Sequence, residues 1–390
     1  MIPHRPTIAE IDLDAVRFNY EQLRKKVGKE TKMLAVVKAD GYGHGATFIS
    51  KELQRLGVDL LGVAISEEGI SLRKAGIRKP IIILNGVFKG QIKETIEYNL
   101  TPVIFDSNTA QRLSDEGKRV NKRVKIHVKI DTGMGRVGIL PKDIMPFFSK
   151  LKDMSNLEVE GVLSHLSTAS GDSSEDLDFT SLQLKRFEKC IREIDIMGFS
   201  PPLRHIANSA ATIDLPPSFC NVLRPGLMLY GAYPSFRFAE KIHLKPVMSL
   251  KTEIMQIKSV PAGYSISYKR TFVTQRDSVI ATLPIGYADG YNRLLSNRGA
   301  ALIGGEKAPV VGTVCMDMTM VDVTKVPNVH VGDEAVLIGR QGDKEISADE
   351  IADKIGTISY EVFCGVSKRV PRIYIKNGKI IGKKTDGQVL

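Results

Sequence analysis

From residue 30 to residue 230 the chain alternates short apolar runs with segments of helical period. Eight runs read as buried strands: MLAVVKAD (33–40), LLGVA (60–64), PIIILNG (80–86), LTPVIFD (100–106), VKIHVKID (124–131), LEVEGVLSHL (157–166), LRHIANS (203–209) and NVLRPGLMLY (221–230). Between them lie amphipathic patterns, clearest over 177–197, where Leu184, Phe187, Ile191 and Ile194 share one face. Eight strand-helix alternations predict an α/β fold, a TIM-type (β/α)8 barrel, with a doubly wound sheet as the alternative.

The fifth run separates the two. Val124, Ile126, Val128 and Ile130 fall on one face of VKIHVKID, and Lys125, His127, Lys129 and Asp131 on the other. A central strand of a doubly wound sheet is covered on both faces and reads as apolar throughout, whereas a polar inner face suits a barrel lumen that opens into a site. The glycines of DTGMGRVG, at 133, 135 and 138, match the spacing of a dinucleotide loop, but Leu140-Pro141 denies a helix starting at the last of them.

Beyond about residue 240 the texture changes to strands with Gly-rich turns: VMSLKTEIMQI, SVIATLPIG, APVVGTVCMDMTMVDV and DEAVLIG. Residues 1–240 are therefore read as the barrel and 241–390 as a C-terminal mainly-β domain, with roughly the first ten residues available to pack on the β domain. The one clear helix of that domain starts at Ser347, with Glu350 three residues on as a capping box, and ends near Gly356.

Composition narrows the classes. A length of 390 residues with 43% hydrophobic positions suits two packed cores. No apolar span reaches the roughly 18 residues of a membrane helix, and MIPHRPTIAEIDLD lacks the apolar run of a signal peptide, so no membrane and a cytoplasmic location are expected. Cys190, Cys220, Cys315 and Cys364 are far apart, which predicts free thiols and no metal site. The net charge of +11 raises nucleic acid as a partner; the lysines and arginines are dispersed rather than set in an aromatic-studded stripe, so no nucleic acid is expected. KRVPRIYIKNGKIIGKK near the C-terminus reads as edge strands with lysines turned to solvent.

The candidate chemistry begins at AVVKADGYGHG, residues 35–45, where an apolar run delivers Lys38 into a turn rich in glycine. One reading is a snorkelling surface lysine before a turn; the other is a strand-end amine whose desolvation lowers its pKa and fits it for a Schiff base.

The ordered motifs AVVKADGYGHG, KIDTGMGRVG, HIANSA, LRPGLMLYG, SYKRTF, PIGYADGY, CMDM and SYEVFCGVSKRVPR, spread from Thr7 to Arg372, resemble the alanine racemase family, pyridoxal-phosphate enzymes of the barrel-plus-β-domain class. The resemblance implies that Lys38 carries pyridoxal 5'-phosphate as a Schiff base and acts as one of two acid/base groups. Tyr268 would be the second, on the opposite face of the substrate Cα, hydrogen-bonded by His165. Loops after the seventh and eighth strands are the usual phosphate site of such barrels, which points to Asn208, Ser209, Gly226 and Leu227; the family adds Tyr42 and Tyr360. Ser209 is equally readable as a simple helix cap.

Arg224 would face the ring nitrogen. Being always charged and without an acceptor, it cannot keep that nitrogen protonated as a carboxylate would, which favours proton removal and return over transamination. Arg136 would reach the cofactor phenolic oxygen and the substrate carboxylate. Lys129 would be carbamylated, its amine freed of its proton by the like charges of the row Lys125, His127, Lys129. Met316 would offer its N–H to the substrate, and Tyr287 would narrow the entrance. The family further implies a homodimer with shared sites acting on a small amino acid, with two alternatives. One is a racemase of serine or another small amino acid. The other is a decarboxylase of the same fold, which would place a glutamate where LRPG has Arg224. A single-barrel pyridoxal-phosphate carrier lacks the β domain.

Overall fold

The computed structural model describes residues 5–214, 221–385 and 388–389; Cys220 lies outside them. The first strand, β1 (Ile8–Asp12), stands apart from the barrel. The eight predicted runs each hold a parallel strand: β2 (Lys32–Val36), β3 (Leu60–Val63), β4 (Ile81–Ile83), β5 (Thr101–Ile104), β6 (Val124–Lys129), β7 (Leu157–Leu163), β8 (Leu203–His205) and β9 (Val222–Leu223). They lie in the order β8-β7-β6-β5-β4-β3-β2-β9, with β2 paired to both β3 and β9. Between β8 and β9 the ring closes through single backbone bonds, Asn221 N to Arg204 O and Arg224 N to Ala207 O, both 3.1 Å. Strand β9 is short because Pro225 has no N–H to continue a ladder, and the chain turns into a 3-10 segment at Leu227–Tyr230.

The long amphipathic pattern is a helix over Ser174–Ile196, capped by Ser173 and packed through Leu184, Phe187, Ile191 and Ile194. The glycines of DTGMGRVG form no dinucleotide loop. All three have positive φ, and Asp131 Oδ1 accepts the N–H groups of Gly133 and Gly135 at 2.9 and 3.1 Å. The loop folds back until Ile139 bridges Ile130, and a 3-10 turn at Pro141–Asp143 leads into the α-helix that starts at Ile144.

The mainly-β part is built on a nine-stranded sheet. Strand β1 lies inside that sheet, antiparallel to β10 (Met248–Glu253) and parallel to the strand Arg372–Lys376. The latter corrects the edge-strand expectation. It has neighbours on both sides, Tyr374 is fully buried, and Lys376 pairs with Glu52 at 2.6 Å instead of reaching solvent. The helix Ala348–Ile355 is capped by Ser347 Oγ accepting from Glu350 N at 3.0 Å, with Gly356 left-handed after it. The reciprocal half of the capping box gives way to ion pairs, since the Glu350 carboxylate binds Lys307 and Lys354. A second helix, Ser359–Gly365, was not expected; its seven residues are too few to declare a period. Among the described residues no helix is long and apolar enough to cross a membrane.

Arg372 ties this sheet to the barrel. Its guanidinium is 5% exposed and donates to the carbonyls of Gly43, Val366, Ser367 and Val370. Truncation leaves buried carbonyls without donors, so Arg372→Met is expected to cost about 3 kcal/mol or more. Urea unfolding checks this; a loss under about 1 kcal/mol would mean water replaces the guanidinium.

Candidate active site

Strand β2 ends at Val36, and Val37 still donates to Gly62 O at 2.8 Å before the chain leaves the barrel wall. Lys38 then opens a left-handed turn: Ala39 has φ 51°, Asp40 φ 52° and Gly41 φ 64°. With Tyr42 at φ 52°, three non-glycine residues lie in this region at a cost of about 1–2 kcal/mol each, and a set of side-chain contacts holds them there. Glu68 accepts from Ala39 N at 2.6 Å and from Ala64 N at 2.7 Å. Asp40 Oδ1 accepts from Ala46 N at 2.9 Å, while Oδ2 pairs with Lys384. The His44 ring contacts the carbonyls of Gly41 and Tyr42 through Nδ1 at 3.0 and 2.9 Å, and Tyr230 Oη donates to Val36 O. Gly43 is required twice over: φ is 80°, and a Cβ would meet Phe363 O at 2.4 Å.

The Lys38 side chain enters a cavity of about 160 Å³ at the barrel mouth. Tyr42, Lys129, Arg136, His165, Asn208, Ser209, Arg224, Gly226 and Tyr360 also line it, and so do Val36, Leu84, Asn85 and Leu163. The four charged groups lining it, Lys38, Lys129, Arg136 and Arg224, are all cationic. Burial and Arg136 lower the Lys38 pKa. Burial, then Arg224 and Arg136, takes Lys129 down to about 8. This corrects the source expected for that shift. Lys125 lies at the other end of β6, where Glu160 at 2.6 Å raises its own pKa, so it does not depress Lys129.

Arg224 is buried, and its terminal nitrogens are engaged: Nη2 donates to Ser164 O at 2.7 Å and Ile206 O at 3.1 Å, and Nη1 to His205 Nδ1 at 3.0 Å. His165 Nδ1 lies 3.2 Å from Nη2, and burial with Arg224 keeps this ring well below its ordinary pKa. Asn208, not Ser209, caps the helix Ser209–Asp214, its Oδ1 accepting from Ala211 N at 3.1 Å. Ser209 Oγ instead accepts from Gly226 N at 2.9 Å. Gly226 permits a close approach, because a Cβ there would meet Tyr42 Oη at 2.5 Å. Burial raises the pKa of Tyr42 and Tyr360, so both hydroxyls keep a proton to donate.

The rest of the expected set is elsewhere in the single chain. The Leu227 side chain is in the core. Tyr268, Met316 and Tyr287 lie on the β domain, 68%, 53% and 41% exposed, and none lines the cavity. Tyr268 follows Ser267 at φ 65° and precedes Lys269 and Arg270 at φ 61° and 53°, a second strained turn. Residues the sequence reading missed include Asn85, at the C-terminal end of β4, where barrel geometry alone points to a site. Glu68 and His205 act from behind the lining, and composition carries no signal for either.

With this geometry in place, comparison with known proteins is decisive. The alanine racemase N-terminal domain family matches residues 11–234, and the alanine racemase C-terminal domain family matches residues 247–374. The chain belongs to the alanine racemase family. It is 47% identical over 372 residues to the alanine racemase of Geobacter sulfurreducens, covering 95% of this chain and 97% of that one. It is 45% identical over 370 residues to that of Halothermothrix orenii, with coverage of 95% and 97%. Among solved structures, alanine racemase from Clostridium difficile 630 superposes with a TM-score of 0.91 at 37% identity, covering 98% of this chain and 99% of that chain. Alanine racemase from Bacillus anthracis with bound L-Ala-P gives a TM-score of 0.91 at 35% identity, covering 98% of each.

Four histidines near the mouth and lumen, His44, His127, His165 and His205, are held below their ordinary pKa by burial. His44 falls from 6.5 to about 4. The unfolded chain therefore takes up this proton first, so the stability from neutral His44 is complete above pH 6.5 and declines as pH falls toward 4. The window corresponds to roughly 3 kcal/mol. His44→Gln is expected to remove that share of the acid slope in urea unfolding free energies between pH 4.5 and 7; an unchanged slope would show that His44 is not buried neutral.

Proposed function

We propose that this chain is an alanine racemase that uses pyridoxal 5'-phosphate, interconverts L- and D-alanine by two bases, and completes each site with a second copy of itself. The observation carrying this is the Lys38 amine, on a strained turn at the mouth of a cavity lined by four cations, serine, asparagine and tyrosine. The lining fits the cofactor. It needs a nucleophilic amine for its aldehyde, donors for its phosphate, and a partner for its ring nitrogen. Lys38 would hold the aldehyde carbon; Ser209, Asn208, Tyr42, Tyr360 and the backbone at Gly226 and Leu227 would hold the phosphate. Arg224 would face the ring nitrogen and offer it hydrogen without surrendering a proton. When bound, pyridoxal phosphate supplies an electron-withdrawing ring next to the substrate Cα.

The protein's own task is then to move one proton. Lys38, its amine partly desolvated, exchanges a proton with one face of Cα, and Tyr268 Oη with the other. Arg136 pairs with the substrate carboxylate, beside Met316 N–H. A carbamate on Lys129 would put an anion next to that arginine, and His165 would orient the tyrosine. Tyr268, Tyr287 and Met316, like Tyr264 and Met318, are large apolar or aromatic side chains left exposed on the β domain. In this reading they cap the partner's barrel, because two bases on opposite faces of one planar group must come from different directions. Free thiols at Cys190, Cys315 and Cys364 support a reducing, cytoplasmic setting.

Mixing subunits tests the arrangement. Lys38→Ala and Tyr268→Phe homodimers are expected to be nearly inactive, and random exchange of equal amounts to return about a quarter of wild-type sites, since half the dimers are mixed and each holds one intact site. Polarimetry on alanine reads the rate and mass spectrometry the mixed dimers; mixed dimers without recovered racemisation would refute the shared site.

Lys129 gives a separate expectation. An amine with a pKa of about 8 becomes neutral as pH rises through that value, and only the neutral amine attacks carbon dioxide. A carbamate signal in 13C NMR with labelled bicarbonate should therefore grow from pH 7 to 9 and vanish in Lys129→Ala. No signal at pH 9 would eliminate the modification.

A further inference from the structure

Below Arg224 the barrel lumen continues as a single file of polar side chains. His205 Nδ1 lies 3.0 Å from Arg224 Nη1, and His205 Nε2 lies 2.9 Å from His127 Nδ1. His127 Nε2 then faces Glu160 Oε2 at 3.5 Å, and Glu160 Oε1 accepts from Lys125 Nζ at 2.6 Å. Both imidazoles are fully buried, and among the described residues His127 Nε2 and Glu160 Oε2 are buried polar atoms that make no hydrogen bond of ordinary geometry, each facing the other at 3.5 Å.

Proton bookkeeping gives this file one direction. A guanidinium only donates, so His205 Nδ1 accepts and its hydrogen is on Nε2. His127 Nδ1 then accepts, and its own hydrogen, on Nε2, points at the carboxylate. Burial, joined by Arg224 at His205 and outweighing the opposing pull of Glu160 at His127, lowers the pKa of both rings and keeps them neutral, which each needs in order to accept and donate at once.

The backbone is arranged for the same end. Ile126 pairs with Val159 but His127 pairs with Gly161, so Glu160 is the extra residue of a bulge in β7. Gly161 leaves room for the ring, since a Cβ there would come within 2.6 Å of His127.

We propose that Glu160, His127 and His205 are positioning residues. In this relay the Glu160 carboxylate, deeper in the lumen, fixes the direction of every hydrogen bond up to Arg224, and through them the orientation of the guanidinium. The effect on the reaction rests on the racemase reading above; the direction of the relay does not. The anion makes His127 a better acceptor, and each polarised link strengthens the next.

Glu160→Gln should reverse the relay. Lys125 only donates, so the amide would turn its oxygen to Lys125 and its NH2 to His127. Both histidines would then carry hydrogen on Nδ1, and His205 would face Arg224 donor to donor. Adding Lys125→Met frees the amide to present its oxygen to His127 and restores the direction without the charge.

The readout is 15N NMR of holoenzyme labelled in histidine, alongside racemisation kinetics. Expected are Nε2–H forms of His127 and His205 in the wild type, Nδ1–H forms in Glu160→Gln, and recovery in the double variant. In parallel, kcat should fall about tenfold in Glu160→Gln, with KM changing less than about twofold, and most of the loss should return in the double variant. The proposal is overturned by an Nδ1–H form of His127 or His205 in the wild type, by unchanged tautomers of these two in Glu160→Gln, or by a double variant as slow as the single one. Reversed tautomers with full racemisation would also overturn it, by severing the relay from the reaction. The wild-type spectrum decides the direction even where a variant does not fold, and a wild type without racemisation would fault the racemase reading alone.

Discussion

A backbone conformation that side chains resist is the constraint on which the barrel mouth depends. Ala39 and Asp40 take left-handed angles open at little cost only to glycine, and the strain is held by Glu68 from the next strand-helix unit, His44 from within the turn and Lys384 from the far end of the chain. Because these supports come from separate elements, the Lys38 amine is aimed by the whole fold rather than by its own segment. The same turn brings Tyr42 toward the backbone at Gly226, where only hydrogen fits, so the amine and the donors opposite it are positioned together.

Electrostatics follow from what lines the mouth and what stands behind it. The carboxylates nearest the site are one layer back: Glu68 under the turn, Asp131 folded onto its own loop, Glu160 down the lumen. Burial and then the neighbouring cations therefore disfavour the protons of the amines in front, which Lys38 and Lys129 can release and the arginines cannot. A cavity of this kind is completed by an anion. Its tyrosines, kept protonated by burial, add donors without adding charge.

Much of this was legible in the chain. The period-2 split of VKIHVKID places His127 and Lys129 in a lumen, because a strand in a barrel declares its inner face by alternation. The alternation of runs located every barrel strand for the same reason. What it could not convey were contacts between distant segments. Arg372 looks like one of many basic residues in an edge hairpin, yet it is buried because Gly43, more than three hundred positions earlier, presents a carbonyl there. Asn208 and Ser209 exchange the roles a capping rule assigns them, since the hydroxyl is drawn away by Gly226 N. The bulge at Glu160 is a register shift between two strands, which neither strand encodes alone.

Strand β1 has a consequence for how the molecule is made. It is synthesised before the barrel, yet its sheet neighbours, β10 and Arg372–Lys376, come only after the barrel is complete. The barrel can close while synthesis continues, but the leading strand must wait unpaired through some 240 residues of translation before it has an edge to join. Once it joins, segments from before and after the barrel are stitched into one sheet, so a single nick near residue 240 would sever the covalent link and leave both halves bound to each other.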